Sequence, residues 1–147
     1  MILAGPGIPA GKTVDYPVVS MDVFATAEEL ADLPVTAMDG VSLLHIIEGD
    51  VAEEREMFWH YPHYHGSAWK PGSAIRVGDW KLIFTYEDQK VSLFDLSKDE
   101  GETLDLATSN PAKATELLHK LHDSVAATNG QYPVWKEDDG VESLGIP

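Results

Sequence analysis

An alternation of apolar and polar residues over 80–86 constrains the fold more than any other feature of the sequence. The apolar residues are Trp80, Leu82, Phe84 and Tyr86. A period of two is typical of a β-strand with one face buried. Gly78 and Asp79 separate this run from a second short apolar run at 74–77, and two such residues between strands favour a tight hairpin turn. The two runs therefore predict a β-hairpin.

Two further strands and one helix complete this part of the chain. The aromatic run 57–61 and the apolar run 91–96 are the predicted strands. Pro111 is tolerated in the first turn of a helix, and Asn129-Gly130 is a typical helix end. The predicted helix carries an apolar stripe made of Ala114, Leu117, Leu118, Leu121 and Val125. We expect an α+β fold, a four-stranded antiparallel sheet covered by this helix, with the acidic tail from residue 131 fraying.

The first third of the chain has helical rather than strand periodicity. Ser20 is the predicted N-cap of a helix that runs to about Asp32, with Asp22 in its first turn. The residues expected on its buried face are Val23, Phe24, Ala27, Leu30 and Ala31. A second helix is predicted over 41–47, and residues 1–4 read as the end of a buried strand. The polar connector 48–56 places the predicted boundary between domains 1–56 and 57–147.

Charge and composition exclude several classes of function. The formal net charge is -15, which repels phosphate backbones and anionic membrane surfaces, so we expect neither a nucleic-acid nor a membrane partner. There is no cysteine, which excludes a disulfide framework, a thiolate metal site and a cysteine nucleophile. No apolar run approaches the ~20 residues of a membrane span, and no signal peptide is visible. The compartment stays unassigned.

The densest cluster of chemically versatile side chains is the histidine segment, residues 60–65. His60, His63 and His65 alternate with aromatic residues there, among them Tyr61. Three interpretations fit this pattern: imidazoles around a zinc ion, histidines packed against the sheet, or a loop whose donors line a polar pocket. The sequence alone leaves all three open.

Two cations follow this segment closely along the chain. Lys70 and Arg76 are positioned to add positive charge to a pocket there. On residues alone, a surface ion pair is the simpler interpretation of Arg76. No nucleophile elbow and no acid–base pair of carboxylates stands out anywhere in the sequence.

Several segments, in order, resemble the C-terminal part of the sulfatase family, within the alkaline-phosphatase-like superfamily. The segments that carry the resemblance are 1–12, 18–26, 39–44, Phe58-Trp59-His60-Tyr61-Pro62, 74–83, Leu93-Phe94-Asp95-Leu96 and 99–106. Ala25 departs from the proline usual at that helix start. The resemblance covers nearly the whole chain. It implies that residues 1–56 are the truncated end of an alkaline-phosphatase-like α/β domain and that 57–147 form the sulfatase C-terminal subdomain.

The family's catalytic elements are absent from this sequence. Sulfatases use a formylglycine made from a Cys/Ser-x-Pro-x-Arg motif and a calcium site that includes an Asp-Asn pair. The chain contains neither motif. We therefore expect no catalytic residue, no metal ligand and no cofactor in these 147 residues, although the full-length family uses calcium and formylglycine.

The resemblance favours a pocket-shaping role for this chain, inactive by itself. The residues we expect to contact substrate are His60, Tyr61, His63, His65, Lys70 and Arg76. The implied partner is a sulfated small molecule or glycan bound by the full-length enzyme. Self-association through the truncated face is a further expectation. The alternative is a non-enzymatic module that binds a metal or a carbohydrate with the histidine segment.

Overall fold

The computed structural model describes residues 1–33, 39–51, 54–66, 70–137, 140–143 and 145–146. The chain divides into two compact units, Met1–Glu53 and Glu54–Pro147. Within the described ranges, no helix is both long and apolar enough to cross a membrane.

The second unit is built on a four-stranded antiparallel sheet. Its strands are β1 (Glu56–Tyr61), β2 (Gly72–Val77), β3 (Trp80–Thr85) and β4 (Lys90–Asp95), in the order β1-β2-β3-β4. The predicted hairpin forms, with Val77 opposite Trp80 across the turn. Each strand therefore pairs with its neighbour in sequence to form a meander, and the predicted four-stranded antiparallel sheet is confirmed.

A long helix covers one face of this sheet, as the apolar stripe predicts. The helix α3 (Pro111–Ala127) buries Ala114, Leu117, Leu121 and Val125. These side chains pack on the sheet residues Ile75, Leu82, Phe84 and Leu93 and on Tyr86, which directly follows β3. The predicted α+β layering is confirmed. We call the α3 side of the sheet the inner face and the opposite side the outer face.

The end of α3 is fixed by a glycine that has no room for a side chain. Asn129 adopts a left-handed φ of 53°, and the backbone N–H of Gly130 donates to the carbonyl oxygen of Val125 (2.9 Å), a Schellman ending. A Cβ added at Gly130 would lie 2.7 Å from a methyl carbon of Val125 and 3.2 Å from the ring of His60. The predicted helix end is confirmed.

The tail beyond α3 is more regular than the sequence suggests. Strands β5 (Val134–Glu137) and β6 (Gly140–Ser143) pair antiparallel. The prediction of a fraying tail is wrong for these residues, because the backbone hydrogen bonds of a short hairpin compensate for the polar composition.

The first unit contains two short helices held by a buried carboxylate. The helices are α1 (Met21–Leu30) and α2 (Leu43–Glu48). Asp22 is fully buried, and its side-chain oxygens accept from the backbone N–H groups of Val19 (2.8 Å) and Val41 (2.9 Å). Ser20 occupies the predicted N-cap position, although its side chain makes no capping bond, and Asp22 lies in the first turn as predicted. Asp22 joins separate segments instead of only complementing the helix dipole.

The predicted buried face of α1 is wrong. Its buried residues are Asp22 and Thr26, whereas Val23, Phe24 and Leu30 are exposed. Thr26 accepts from the backbone N–H of Leu43 (2.8 Å), so polar contacts rather than the apolar stripe orient the helix. Residues 1–4 are exposed and form no strand, because the described first unit offers them no strand to pair with.

We expect Gly130→Ala to lower the free energy of unfolding by about 1–3 kcal/mol, since the new methyl group overpacks the contact with Val125 and His60. Urea unfolding followed by circular dichroism measures the change. The matched control is Gly101→Ala, where the nearest atom to an added Cβ is an ordinary 3.5 Å away. Equal losses for the two variants would contradict the steric account.

Candidate functional site

The alternation of β1 divides the histidine segment between the two faces of the sheet. Successive side chains of a strand point to opposite sides, and paired residues share a side. His60 pairs with Ser73, which pairs with Phe84 of the buried core, so His60 lies on the inner face. Tyr61 therefore projects from the outer face. The structure brings these two neighbours in sequence into different environments.

On the inner face, His60 is the centre of a hydrogen-bonded cluster. Its Nδ1 lies 2.7 Å from Ser73 Oγ and 3.0 Å from the hydroxyl of Tyr86. The two hydroxyls are 2.6 Å apart. Its Nε2 lies 2.9 Å from the carbonyl oxygen of Gln131. A carbonyl oxygen only accepts, so Nε2 carries a proton and donates.

These contacts tie β1 to the chain just beyond α3. The ring of His60 also makes edge-to-face contacts with Tyr86 (centroids 5.9 Å apart) and Tyr132 (5.8 Å). Burial raises the pKa of Tyr86 to about 12, and burial likewise raises the pKa of Tyr132. Both phenols therefore stay protonated at neutral pH. His60, predicted as a substrate contact, has both ring nitrogens engaged inside the protein.

On the outer side, Tyr61 contacts the other two histidines of the segment, His63 and His65. The ring of His63 meets Tyr61 edge to face at a centroid distance of 5.7 Å, and that of His65 does so at 6.5 Å. All three residues are exposed, as is Tyr64. We call Tyr61, His63 and His65 the outer group.

The two predicted cations differ in how far their charge is compensated. Lys70 Nζ lies 2.8 Å from a carboxylate oxygen of Glu87, and this hydrogen bond raises the pKa of Lys70. Arg76 donates its Nε to the carbonyl oxygen of Gly78 (2.8 Å), which fixes the guanidinium and leaves its two terminal NH2 groups as further donors. Arg76 lies on the outer face with Tyr61. It pairs with Met57, and Met57 and Tyr61 are four residues apart on β1, so all three side chains share one face.

Sequence reasoning missed Trp59 as a candidate site residue. Its side chain lies on the same face as that of Tyr61, two residues along β1, and 46% of its surface is exposed. The available signal was the strand period itself: once Phe58 and His60 are assigned to the inner face, Trp59 and Tyr61 must share the outer one.

The residues present do not fit a metal centre. Among the described residues, no group of three or more His, Asp or Glu side chains is placed to hold an ion. The internal bonds of His60 leave only two imidazoles of the histidine segment on the outer side. The donor set of the family's calcium site is also absent from the sequence, so no chemical step is assigned to a metal here.

The fold of the second unit is a four-stranded antiparallel sheet covered by a long helix, and comparison with a family model gives the class of protein, the C-terminal portion of a sulfatase. Residues 1–131 match the model described as N-sulphoglucosamine sulphohydrolase, C-terminal, and the chain belongs to this family. The resemblance predicted from the sequence is therefore confirmed.

Full-length relatives are sulfatases. A sulfatase of Formosa agariphila is 32% identical over 94% of this chain and 29% of its own length. Arylsulfatase K of Danio rerio is 32% identical over 85% of this chain and 25% of its own length. The human arylsulfatase K is 28% identical over 95% of this chain and 30% of its own length. The chain thus spans about a quarter to a third of the relatives it matches.

Solved structures share the fold. BT4656, determined with D-glucosamine-2-N,6-O-disulfate, superposes with a TM-score of 0.61 and 25% identity over 74% of this chain and 24% of its own. Ps i-CgsB, determined with k-i-k-neocarrahexaose, superposes with a TM-score of 0.61 and 26% identity, over 86% of this chain and 28% of its own. These neighbours confirm the predicted fold class, the alkaline-phosphatase-like sulfatase fold.

The burial of Tyr86 in the inner cluster predicts that the protein loses stability at alkaline pH. An unfolded tyrosine ionises near pH 10, whereas the folded pKa of Tyr86 is about 12. The folded state therefore favours the neutral phenol, and this contribution is complete below pH 10 and lost as pH rises towards 12. It amounts to about 2–3 kcal/mol. Urea unfolding at several pH values between 8 and 12 measures it.

Tyr86→Phe is the matched control, because it keeps the ring and removes the ionisable hydroxyl. The free energy of unfolding of wild type, taken relative to that of Tyr86→Phe, should fall by about 2–3 kcal/mol between pH 10 and 12. A difference that stays constant over that range would show that the Tyr86 hydroxyl does not titrate as the burial implies.

Proposed function

We propose that this chain supplies the substrate-framing portion of a sulfatase and releases no sulfate by itself. The observation that carries the proposal is the combination of a matched C-terminal sulfatase family with a sequence that has no cysteine and no Ser-x-Pro-x-Arg motif. A sulfatase without an attacking oxygen on a modified side chain and without a cation for the sulfate retains binding groups but little catalysis.

The outer group of Tyr61, His63 and His65 is the part of this chain that we assign to substrate. Its three side chains are exposed, and neutral or charged imidazoles donate hydrogen bonds to anionic oxygens. Arg76 adds a fixed guanidinium on the same side of the sheet, suited to a sulfate or carboxylate. Lys70 contributes less charge, because Glu87 compensates it. His60 supports this group from the inner face and does not contact substrate.

The implied substrate is a sulfated sugar. Two fold neighbours support this class, since BT4656 was determined with a disulfated glucosamine and Ps i-CgsB with a neocarrahexaose. Hydrogen-bonding imidazoles and a phenol beside aromatic rings form the mixed surface that polar ligands with apolar faces require.

The first test is sulfate release. We expect the 147-residue chain to give no turnover of an aryl sulfate or of a sulfated oligosaccharide. A chimera in which this chain replaces the matching region of the Formosa agariphila sulfatase should release sulfate. Ion chromatography of free sulfate measures both. Turnover by the chain alone would overturn the proposal.

The second test locates the substrate contacts. In the chimera, His63→Ala and His65→Ala should each raise KM by about tenfold, the effect of one lost hydrogen bond to a charged group. The control is His119→Ala, an exposed histidine on α3. An unchanged KM for both loop variants would remove the outer group from the site.

We further propose that the isolated chain self-associates through α1. Val23, Phe24 and Leu30 leave an exposed apolar surface on this helix, and such surfaces favour association. Sedimentation velocity should show a concentration-dependent dimer that Phe24→Asp reduces. The control, Tyr64→Asp, changes an equally exposed aromatic residue in the other unit. A wild-type chain that stays monomeric would contradict the proposal.

The alternative is a module that binds a metal or a carbohydrate without catalysis. The geometry of the histidine segment bears differently on these two ligands. The bonds of His60 to Ser73 and Gln131 count against a three-histidine zinc site. Carbohydrate binding is shared by both functions, and only the chimera distinguishes them.

A further inference from the structure

The outer face carries aromatic side chains beside the two smallest residues of the neighbouring strand. Trp59 pairs with Ala74, and Tyr61 pairs with Gly72. Paired residues share a face and neighbouring strands lie ~4.8 Å apart. One side of each ring therefore borders a position with little or no side chain. The next strand continues the two rows with Ile83 and Thr85.

The aromatic rings at this end of the face are open to solvent. Trp59 is 46% exposed and Tyr61 40%, whereas Met57 and Phe94 are buried on the same face at its other end. The face of an aromatic ring carries partial negative charge and attracts the weakly positive C–H groups of a ligand. A sugar ring presents such C–H groups on one side and hydroxyls at its rim.

A single guanidinium lies next to these rings. Arg76 is paired with Met57, two residues from Trp59, and such diagonal neighbours are within reach of long side chains. No carboxylate is within ion-pair distance of Arg76 in the described part of the chain. Its cross-strand neighbour Lys81 is compensated by Glu102 at 2.5 Å. Trp59, Tyr61 and Arg76 together form what we call the outer patch.

We propose that the outer patch binds a lightly charged glycan, with a sugar ring stacked on Trp59 and one sulfate or carboxylate on Arg76. The proposal rests on the function proposed above and specifies its substrate class. One available cation matches one anionic group per binding register. The net charge of -15 repels a densely sulfated polyanion, whose attraction to the protein would need a cluster of uncompensated cations.

Calorimetric titration of the 147-residue chain tests this directly. The probes are three oligosaccharides of equal length: a neutral galactan, the same galactan with one sulfate per disaccharide, and a heparin fragment. We expect the singly sulfated galactan to bind most tightly, the neutral one more weakly and the heparin fragment weakest. Tighter binding of heparin than of the singly sulfated galactan would overturn the charge argument.

Two variants separate stacking from charge. Trp59→Ala should weaken binding of both galactans at least tenfold, about the effect of removing one stacking ring. Trp59→Phe should restore most of the loss. Arg76→Gln should weaken only the sulfated galactan and reduce the salt dependence of its binding. The control is His119→Ala, which removes an exposed aromatic ring on α3, away from both proposed binding surfaces. Circular dichroism of each variant checks that the fold is retained.

The outcomes distinguish this inference from the proposed function. If His63→Ala raises the KM of the chimera while Trp59→Ala changes neither KM nor glycan affinity, the substrate-framing role stands and the outer patch is wrong. If Trp59→Ala leaves glycan affinity and KM unchanged but makes the protein aggregate, Trp59 packs against polypeptide and the inference is overturned. If the galactans bind through Trp59 but the chimera is inactive, the patch stands and the sulfatase role fails.

Discussion

The hydrogen bonds of His60 are the interaction on which the arrangement of β1 and the proposed site depends. Through Ser73 and Tyr86 the imidazole joins β1 to β2 and to the turn after β3, and through the carbonyl oxygen of Gln131 it reaches the chain beyond α3. Buried polar groups are costly when unpaired and rigidifying when satisfied. With both ring nitrogens paired, the cluster holds the side chain of His60 on the inner face, and the neighbouring Tyr61 therefore lies on the outer face.

The sequence predicted the fold correctly where a single hydrophobic period, that of a strand or that of a helix, dominated a segment. The alternation over 80–86 and the stripe on 114–125 specified the meander and its covering helix, since burial on one face leaves few alternative registers. The same reasoning failed on α1, where Asp22 is buried and Phe24 is exposed. An apolar stripe marks a buried face only when apolar contacts orient the helix, and here side-chain to backbone hydrogen bonds do so.

The candidate site was predictable in composition but not in arrangement. The sequence identified the histidine segment as the chemically dense region, yet it grouped His60 with His63 and His65 as equivalent donors. Strand parity separates them, and the partners of His60 lie 13 and 26 residues away along the chain, where no local pattern indicates them. Trp59 was overlooked for the complementary reason: an aromatic residue in a strand is usually core, and only its parity places it outside.

His60, which is hydrogen-bonded inside the protein, and the proposed ligand contacts Trp59 and Tyr61 occupy alternate positions of one strand, and this limits how the segment can evolve. Substitutions at Trp59 or Tyr61 change the outer face and leave the inner cluster intact. A single-residue insertion or deletion upstream in β1 would exchange the two faces, turning His60 outwards and forcing Tyr61 or Trp59 into the space beside Ser73. We therefore expect length variation among homologues to fall in the connection after Tyr61 and to be absent from β1.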